Sequence, residues 1–229
     1  MAVITISREL GSEGFEIAHQ VAKNLGYEFV DKSTADGIFR QYGLTKFDDL
    51  YNSALGILDL VNADNLLIVS MLNEILEAVA RRGNIVILGR AGFAVLGDYA
   101  DVLNVRIQAP FSERVKRVMA REGLTDPQGT EERVREDDNV HRKYVQMFYN
   151  KHWDEPSNFD LVIDTGSLSS DMAVNQIVEA ARALDQKTPG KDAVTTATIE
   201  VDPVLADAAA KVIAYPLPDL PAQTRSGES

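Results

Sequence analysis

The chain has 229 residues, 45% of them hydrophobic, which suits one globular α/β domain with a full core. Its net charge of −12 argues against a nucleic-acid partner, because neutralising phosphates requires a dense basic face. The lack of cysteine excludes disulfides and thiolate metal sites. The sequence has no signal-peptide pattern and no apolar run of membrane-spanning length, so we expect no membrane partner and a cytoplasmic location.

Short apolar runs alternate with helical patterns along the first 184 residues. Predicted strands lie at residues 2–6, 27–30, 84–88, 102–107 and 159–163. Predicted helices lie at 17–25, 65–82, 111–122, 130–150 and 171–184, with short helices and loops over 32–64. This alternation predicts a five-stranded parallel sheet with helices on both faces, an α/β three-layer sandwich.

The composition changes after Asp185. Residues 186–229 contain five of the eight prolines, at Pro189, Pro203, Pro216, Pro218 and Pro221. We predict one domain over 1–185 and a partly flexible C-terminal tail over 186–229, with a possible strand at 195–201 and an Ala-rich helix at 203–215. The tail packs on the domain or on a neighbour in this interpretation, and a catalytic role is not expected.

The first strand, a Gly-containing turn and a helix follow one another at the N-terminus. This order predicts an anion site, because helix N–H groups and glycine backbone approach a phosphate closely. In the standard phosphate-loop motif, Lys and Ser or Thr stand where this chain has Gly14 and Glu16. A plain turn before a helix explains the pattern equally well, and Glu13 works against a phosphate electrostatically.

A phosphate site here therefore needs a positive charge from elsewhere, and Arg8 is the nearest candidate. Glu16 is the candidate Mg²⁺ ligand, since carboxylates suit that ion. The predicted ATP phosphate-binding residues are Arg8, Gly11, Ser12, Glu13, Gly14, Phe15 and Glu16.

Residues 4–18 read ITISRELGSEGFEIA, which resembles the opening of the cytidylate kinase-like family. That family shows Ile-Ser-Arg followed by Gly-Ser-Gly-Gly-Arg-Glu-Ile-Ala, so Gly14 is expected and Glu13 and Phe15 are departures. The resemblance continues over residues 25–32, 87–92, 109–115, 137–144 and 151–161 and covers about residues 2–184. In cytidylate kinases an Asp follows Gly-Arg, whereas Ala91 follows Gly89-Arg90 here.

The resemblance implies a P-loop-kinase-like fold with a helical lid, and ATP- and Mg²⁺-dependent phosphorylation of a nucleoside monophosphate, foremost CMP or dCMP. Acceptor-binding roles fall to Arg90 and Asp138, and Asp31 at a strand end is a further candidate for the acceptor or the metal. Arg133 and Arg135 would close over the transferring phosphate, and Arg142 would help to hold the acceptor. The partners are nucleotides, and the protein is a monomer or a homodimer.

Several of these residues have plainer interpretations. Arg133, Arg135 and Arg142 lie among acidic residues, as on a solvated helix with ion pairs four residues apart. Asp31 serves equally well as a helix cap. His19 and His141 are predicted at the surface, and Trp153, Tyr144, Phe148 and Tyr149 in the core.

Two functional alternatives remain beside the nucleotide kinase. Glu13 and Phe15 favour a nucleotide-binding or regulatory module that has lost transfer. Ala91 leaves open a kinase for a non-nucleotide acceptor, because one fold serves many substrates.

Overall fold

Five short apolar runs form one parallel sheet in the computed structural model, which describes residues 2–41 and 63–214. The strands are β1 (Val3–Arg8), β2 (Glu28–Val30), β3 (Ile85–Leu88), β4 (Val102–Gln108) and β5 (Leu161–Asp164). Their spatial order is β2-β3-β1-β4-β5, and every pairing is parallel. In the central strand β1, Ile4 is level with Val86 on β3 and Leu103 on β4. The predicted five-stranded sheet is confirmed.

Helices follow the strands in the predicted order. They are α1 (Gly14–Leu25), α2 (Lys32–Gln41), α3 (Ala63–Ala80), α4 (Gly92–Leu96), α5 (Phe111–Glu122), α6 (Pro127–Tyr149), α7 (Ser170–Gln186) and α8 (Pro203–Ile213). The short helix α4 is absent from the sequence prediction, and the part of the predicted 32–64 segment from 42 to 62 lies outside the described residues. No helix of the described chain has the length and apolar character that crossing a bilayer demands.

The two faces of the sheet are buried against different helices. Val3, Ile85 and Ile87 face one core, which α2, α3 and α8 cover. Ile4 and Val86, their neighbours along the strands, face the other core under α1 and α7. Since successive side chains on a strand point to opposite faces, these uninterrupted apolar runs fill both cores at once. The three-layer architecture follows from this burial. Each large apolar side chain that is fully buried stabilises the fold by about 1.5–3 kcal/mol.

The segment after residue 185 contributes to the first of these cores. Leu205, Ala209 and Ile213 of α8 are buried there beside α2 and α3. The Asp202 carboxylate caps α8 by accepting hydrogen bonds from the backbone N–H groups of Val204 and Leu205, both at 2.9 Å. The predicted helix is confirmed over Pro203–Ile213, residues 215–229 lie outside the described part, and the division of the chain at 185 stays a prediction.

The predicted strand at 195–201 is wrong. This segment contains a single 3-10 turn, Thr196–Thr198, instead. Asp101 accepts hydrogen bonds from both the backbone N–H and the hydroxyl of Thr196, at 2.8 and 2.7 Å. This carboxylate satisfies the local donors, so the β-branched run curls into a turn rather than pairing with the sheet.

We predict that Leu205→Ala lowers the free energy of unfolding by about 2–5 kcal/mol, because it empties a buried site between α8 and the sheet. Val204→Ala is the matched control, since that side chain is 65% exposed, and it should cost less than about 0.5 kcal/mol. Urea unfolding followed by circular dichroism measures both. Equal, small losses would show that α8 is not part of the cooperative unit.

Candidate functional site

The loop between β1 and α1 lies at the point in the sheet where the strand order reverses. The chain runs from β1 to β2 on one side of β1 and from β3 to β4 on its other side, so the connections diverge at β1 and open a crevice there. Residues 9–13 form this loop, and the 12-residue helix α1 follows it directly. Gly11 has φ of 83° and Glu13 has φ of 63°, so two left-handed residues turn the chain into the helix. The geometry is that of a helix N-terminus facing a ligand crevice.

Close contacts require two glycines here, one in the loop and one at the start of α1. A Cβ atom on Gly11 would lie 2.6 Å from the carbonyl oxygen of Arg114 on α5. A Cβ atom on Gly14 would lie 2.4 Å from Cβ and 2.8 Å from Cγ of Arg8. The space where a lysine side chain would start in the standard motif is thus filled by the stem of Arg8. This contact explains why glycine stands at position 14.

Arg8 extends from the loop before α1 to the turn that follows β3. Its stem crosses Gly14, and its Nη1 atom lies 2.6 Å from the position that a Cβ on Gly89 would take. Gly89 has φ of 75°, and with no side chain it leaves room for this guanidinium group. The guanidinium group of Arg8, the cation predicted near the loop, therefore lies between the loop and the end of the neighbouring strand β3.

A small cavity opens beside Arg8, lined by the end of β1, the turn after β3 and α6. Arg90 lines it and is 3% exposed, with Nη2 3.7 Å from Asp36 Oδ1. Arg90 and Ala91 have φ of 55° and 53°, a left-handed conformation that side chains rarely adopt. Such strain costs about 1–3 kcal/mol for each residue and is concentrated at functional sites. Arg8 and Arg90 thus bring two cationic side chains to this cavity.

A buried ionic network surrounds the loop. The Glu9 carboxylate accepts hydrogen bonds from Arg106 at 3.0 Å and from the Ala109 N–H at 3.1 Å, and Arg114 Nε lies 3.3 Å away. Arg114 donates two hydrogen bonds to Asp138 on α6, at 3.0 and 2.8 Å. Burial lowers the pKa of Arg114, but the hydrogen bond with Asp138 and the charge of Glu9 outweigh this, so its pKa is raised. The network joins the loop, α5 and α6.

Sequence reasoning missed Glu9, Arg106 and Arg114 as parts of the site. Arg106 stands inside β4, a strand whose other residues are apolar or amide side chains, and it is 2% exposed. A charge inside a buried strand must be paired, and this signal in the sequence points to a carboxylate nearby. Which carboxylate it is depends on the fold, since Glu9 lies 97 residues away in the chain.

The Glu13 carboxylate contacts side chains of α5 and α7. Its carboxylate accepts a hydrogen bond from the Ser170 hydroxyl and lies 3.4 Å from Arg117 Nε. Arg117 also donates to the hydroxyl and the carbonyl oxygen of Thr165, at 2.9 and 2.8 Å. These partners offset the negative charge of Glu13, which the sequence analysis expected to disfavour a phosphate in the loop.

The neighbouring departure, Phe15, is a packing residue. Its ring meets Phe29 edge-on at 5.8 Å and lies 6.5 Å from the His19 ring. His19 is 6% exposed, so its predicted surface position is wrong. The aromatic neighbours on α1 and β2 cover it, which a helical pattern with one histidine did not reveal.

His141 is also buried, at 8% exposure, and its predicted surface position is wrong as well. It lies on α6 and lines the cavity with Arg8 and Arg90. Its ring stacks on Trp153, with centroids 5.1 Å apart and planes inclined by 21°. Trp153 is buried, as predicted, and carries the Arg106 guanidinium 4.5 Å from its ring centroid.

The three arginines predicted to act from the lid lie on α6 with partners of their own. Arg133 is hydrogen-bonded to Glu122 of α5. Arg135 lies 4.1 Å from the centroid of the Phe111 ring, and Arg142 Nε lies 3.3 Å from Asp154. Their side chains are 37%, 63% and 45% exposed, and none of them lines the cavity that contains Arg90.

Asp31, Ser12 and Glu16 make simpler contacts. Asp31 Oδ1 accepts from Ser33 and Thr34 at the start of α2, as the helix-cap interpretation expects. The Ser12 hydroxyl donates to the Glu9 carbonyl oxygen at 2.7 Å. Glu16 is exposed on the first turn of α1, and residues 2–41 and 63–214 contain no group of three acidic, His or Cys side chains able to hold a metal alone. A metal ion here would depend on nucleotide phosphates for its other ligands.

The parallel sheet, the loop before α1 and the covering helices define an α/β kinase-like fold. The family model of the cytidylate kinase-like family matches residues 3–167, and the chain belongs to that family. A cytidylate kinase of Ignicoccus hospitalis is 30% identical over 177 residues, which is 77% of this chain and 97% of that protein. Family and fold together support a kinase of a nucleotide or another small molecule.

Two further similarities concern other proteins. A uronate isomerase of Corynebacterium glutamicum is 36% identical over 106 residues, so this match spans 46% of the chain but only 20% of that protein. Among solved structures, an uncharacterised protein from Eubacterium ventriosum has a TM-score of 0.64 at 20% identity, covering 80% of this chain and 99% of that one. The structural likeness supports the fold alone.

We predict that Asp138→Ala lowers the free energy of unfolding by about 3–5 kcal/mol. The substitution removes the carboxylate that accepts two hydrogen bonds from Arg114 and so leaves the buried Arg114 charge without that partner. Asp207→Ala removes an exposed pair with Lys211, at 63% and 59% exposure, and should cost only about 0–1 kcal/mol. Chemical denaturation of both variants tests this. A loss below 1 kcal/mol for Asp138→Ala would mean that the network does not stabilise the fold.

Proposed function

We propose that the chain transfers the γ-phosphoryl group of ATP to a small anionic acceptor bound in the cavity beside Arg90. Phosphoryl transfer depends on positioning and on neutralising charge more than on covalent chemistry, so the site needs cations at two points. One point is the loop before α1, where the donor phosphates would bind. The other is the cavity, where Arg90 is buried behind a strained turn.

The position of Arg8 is the observation that carries this proposal. Its stem fills the space beside Gly14, and its guanidinium group reaches Gly89 at the mouth of the cavity. A phosphoryl group passing from the loop to the cavity would therefore meet Arg8 on its way. Arg8 supplies from the end of β1 the charge that a lysine supplies from the helix in the standard motif, and its planar group suits several phosphate oxygens.

Bound ATP would be held by the backbone of residues 11–14 and by Arg8, and Mg²⁺ with the nucleotide would neutralise the phosphates. Glu16, on the first turn of α1, stays the predicted carboxylate for that ion. Arg133, Arg135 and Arg142 stay predicted lid residues. To reach a phosphate, Arg133 would have to leave Glu122, Arg135 would have to leave Phe111, and Arg142 would have to leave Asp154.

CMP and dCMP are the first acceptors to test, because the relatives that span most of the chain, such as that of Ignicoccus hospitalis, are named cytidylate kinases. A coupled assay of ADP release with ATP and Mg²⁺ measures turnover with CMP, dCMP, UMP, AMP and GMP. Acceptor-dependent release supports the proposal. Tight ATP binding in calorimetry with no release for any acceptor would favour the nucleotide-binding module instead.

We predict that Arg8→Met lowers kcat about 10²–10³-fold, because methionine keeps an unbranched stem over Gly14 but removes the charge from the transferring phosphate. The assay is the same ADP release, with circular dichroism to check the fold. Arg182→Met, an exposed change on α7, is the control and should leave turnover within twofold. Unchanged turnover in Arg8→Met would remove Arg8 from the reaction.

We predict that Arg90→Ala raises the acceptor KM by at least tenfold and lowers kcat, while the Kd for ATP stays within threefold. The charge that it removes faces the cavity and not the loop. Initial rates across acceptor concentrations and ATP titration calorimetry give the two quantities. A variant that loses ATP affinity and keeps its acceptor KM would reverse the assignment of the two subsites.

A further inference from the structure

The C-terminal helix α8 packs against α2, the helix that carries the partner of Arg90. The two helices share one core, whose members are Leu205, Ala209 and Ile213 of α8 and Ala35, Ile38 and Phe39 of α2. Helix α8 lies beyond residue 167, where the match to the family model ends. The packing of α8 on α2 is therefore a feature of this chain that the family match does not explain.

A glycine of α2 lies directly against α8. A Cβ atom on Gly37 would lie 3.1 Å from Cγ1 of Val212, which is closer than apolar carbon atoms normally pack. Glycine in a helix interior is less stable than alanine, so its presence fits a contact that leaves no room for a side chain. A larger residue at position 37 would push α2 and α8 apart.

The middle of α2 depends on this contact for its position. Helix α2 follows β2, a three-residue strand at the edge of the sheet. Asp31 fixes the first turn of α2 through its hydrogen bonds with Ser33 and Thr34. Beyond that turn, the buried side of α2 lies in the core that α8 covers. Helix α8 therefore determines how closely the middle of α2 approaches the rest of the domain.

The chain that leads to α8 is itself anchored next to β4. The Ala100 N–H donates to the Val194 carbonyl oxygen at 2.9 Å. Asp101 accepts hydrogen bonds from the backbone N–H and the hydroxyl of Thr196. The Asp202 carboxylate then caps α8. These contacts make α8 a fixed support for α2.

Asp36 connects this support to the cavity. It stands next to Gly37, and its Oδ1 atom lies 3.7 Å from Nη2 of Arg90, with side chains 15% and 3% exposed. Neighbouring residues of a helix point about 100° apart, so Gly37 can face α8 while Asp36 faces Arg90. Salt and water screen a buried pair of charges only weakly, so a displacement of Asp36 acts directly on the guanidinium group.

We propose that α8 is a positioning element of the acceptor cavity. Val212 holds α2 at Gly37, Asp36 of α2 orients Arg90, and Arg90 meets the anionic group of the acceptor. Val212 and Asp36 are positioning residues, because they act on the acceptor through Arg90. This role of α8 rests on the proposed phosphotransfer and adds to it a determinant of acceptor affinity outside the cavity.

The test separates the position of Arg90 from turnover, in the full-length protein. The variants are Gly37→Val, the same change combined with Val212→Ala, and Asp36→Asn. Gln41→Val, an exposed change on the same helix, is the control. ADP release with CMP, or with whichever of dCMP, UMP, AMP and GMP turns over fastest, gives KM and kcat. The Nε–H signal of Arg90 in ¹H–¹⁵N NMR, assigned with Arg90→Ala, reports its surroundings.

We expect Gly37→Val to shift the Arg90 signal and to raise the acceptor KM by about 3–30-fold, because α2 and Asp36 are displaced. The Kd for ATP should stay within about twofold, since the loop before α1 is not moved. Adding Val212→Ala should restore both the signal and the KM, because it makes room for the new side chain. Asp36→Asn should raise KM without that rescue, and Gln41→Val should change neither quantity.

A merely structural role for α8 predicts a different result. Gly37→Val would then lower the melting temperature but leave the Arg90 signal and the acceptor KM unchanged, which would overturn the inference and leave the proposed phosphotransfer standing. If Gly37→Val does not fold, Gly37→Ala gives the same comparison with a smaller displacement. No ADP release from wild-type protein with any of the five acceptors would refute the proposed function, and the Arg90 signal would then decide alone whether α8 positions that residue.

Discussion

The buried bond between Arg114 and Asp138 is the contact on which the site depends. Its two hydrogen bonds tie α5 to α6, and the same guanidinium group lies beside Glu9 in the loop. Charges taken out of water are tolerated only when every partner is in place, so one displacement would leave several groups unpaired. The contacts of Arg114 therefore hold the loop, α5 and α6 in a single arrangement.

Two functional features inherit their positions from this contact. Gly11 lies against the carbonyl oxygen of Arg114, so the loop follows α5 closely. His141 lies three residues after Asp138 on α6, so fixing one orients the other. A shift of α6 would thus change the loop before α1 and the cavity together. On the proposed function, the donor and the acceptor would therefore bind to one shared framework.

The sequence predicted the architecture because the strands are buried on both faces, which leaves uninterrupted apolar runs between helical patterns. It also singled out Arg90, which lines the cavity and whose acceptor role stays a prediction, and it placed Trp153 in the core, which is confirmed. It could not choose between a ligand contact and a helix cap for Asp31, because both use the same carboxylate at a strand end. His141 looked exposed because its helix is highly charged, and only the packing of α6 on Trp153 buries it. Contacts across about 100 residues, such as that of Glu9 with Arg106, follow from the fold and from no local pattern.

The departures of this chain from the family pattern differ in what they change. Glu13 pairs with Arg117, and Phe15 packs against Phe29, both beside the loop. These two departures therefore change the surroundings of the loop more than its backbone path. Ala91 is different, because the resemblance expects an aspartate there, directly after Gly-Arg. Ala91 is 7% exposed and packs in an apolar cluster with Trp153.

An aspartate at position 91 would bring a charge into that apolar cluster, and burial disfavours a charge unless it is paired. The cavity wall has therefore exchanged a polar contact for an apolar one, while the arginine next to it has been kept. On the proposed function, Arg90 would still meet an anionic acceptor at this wall, but position 91 would offer that acceptor no carboxylate.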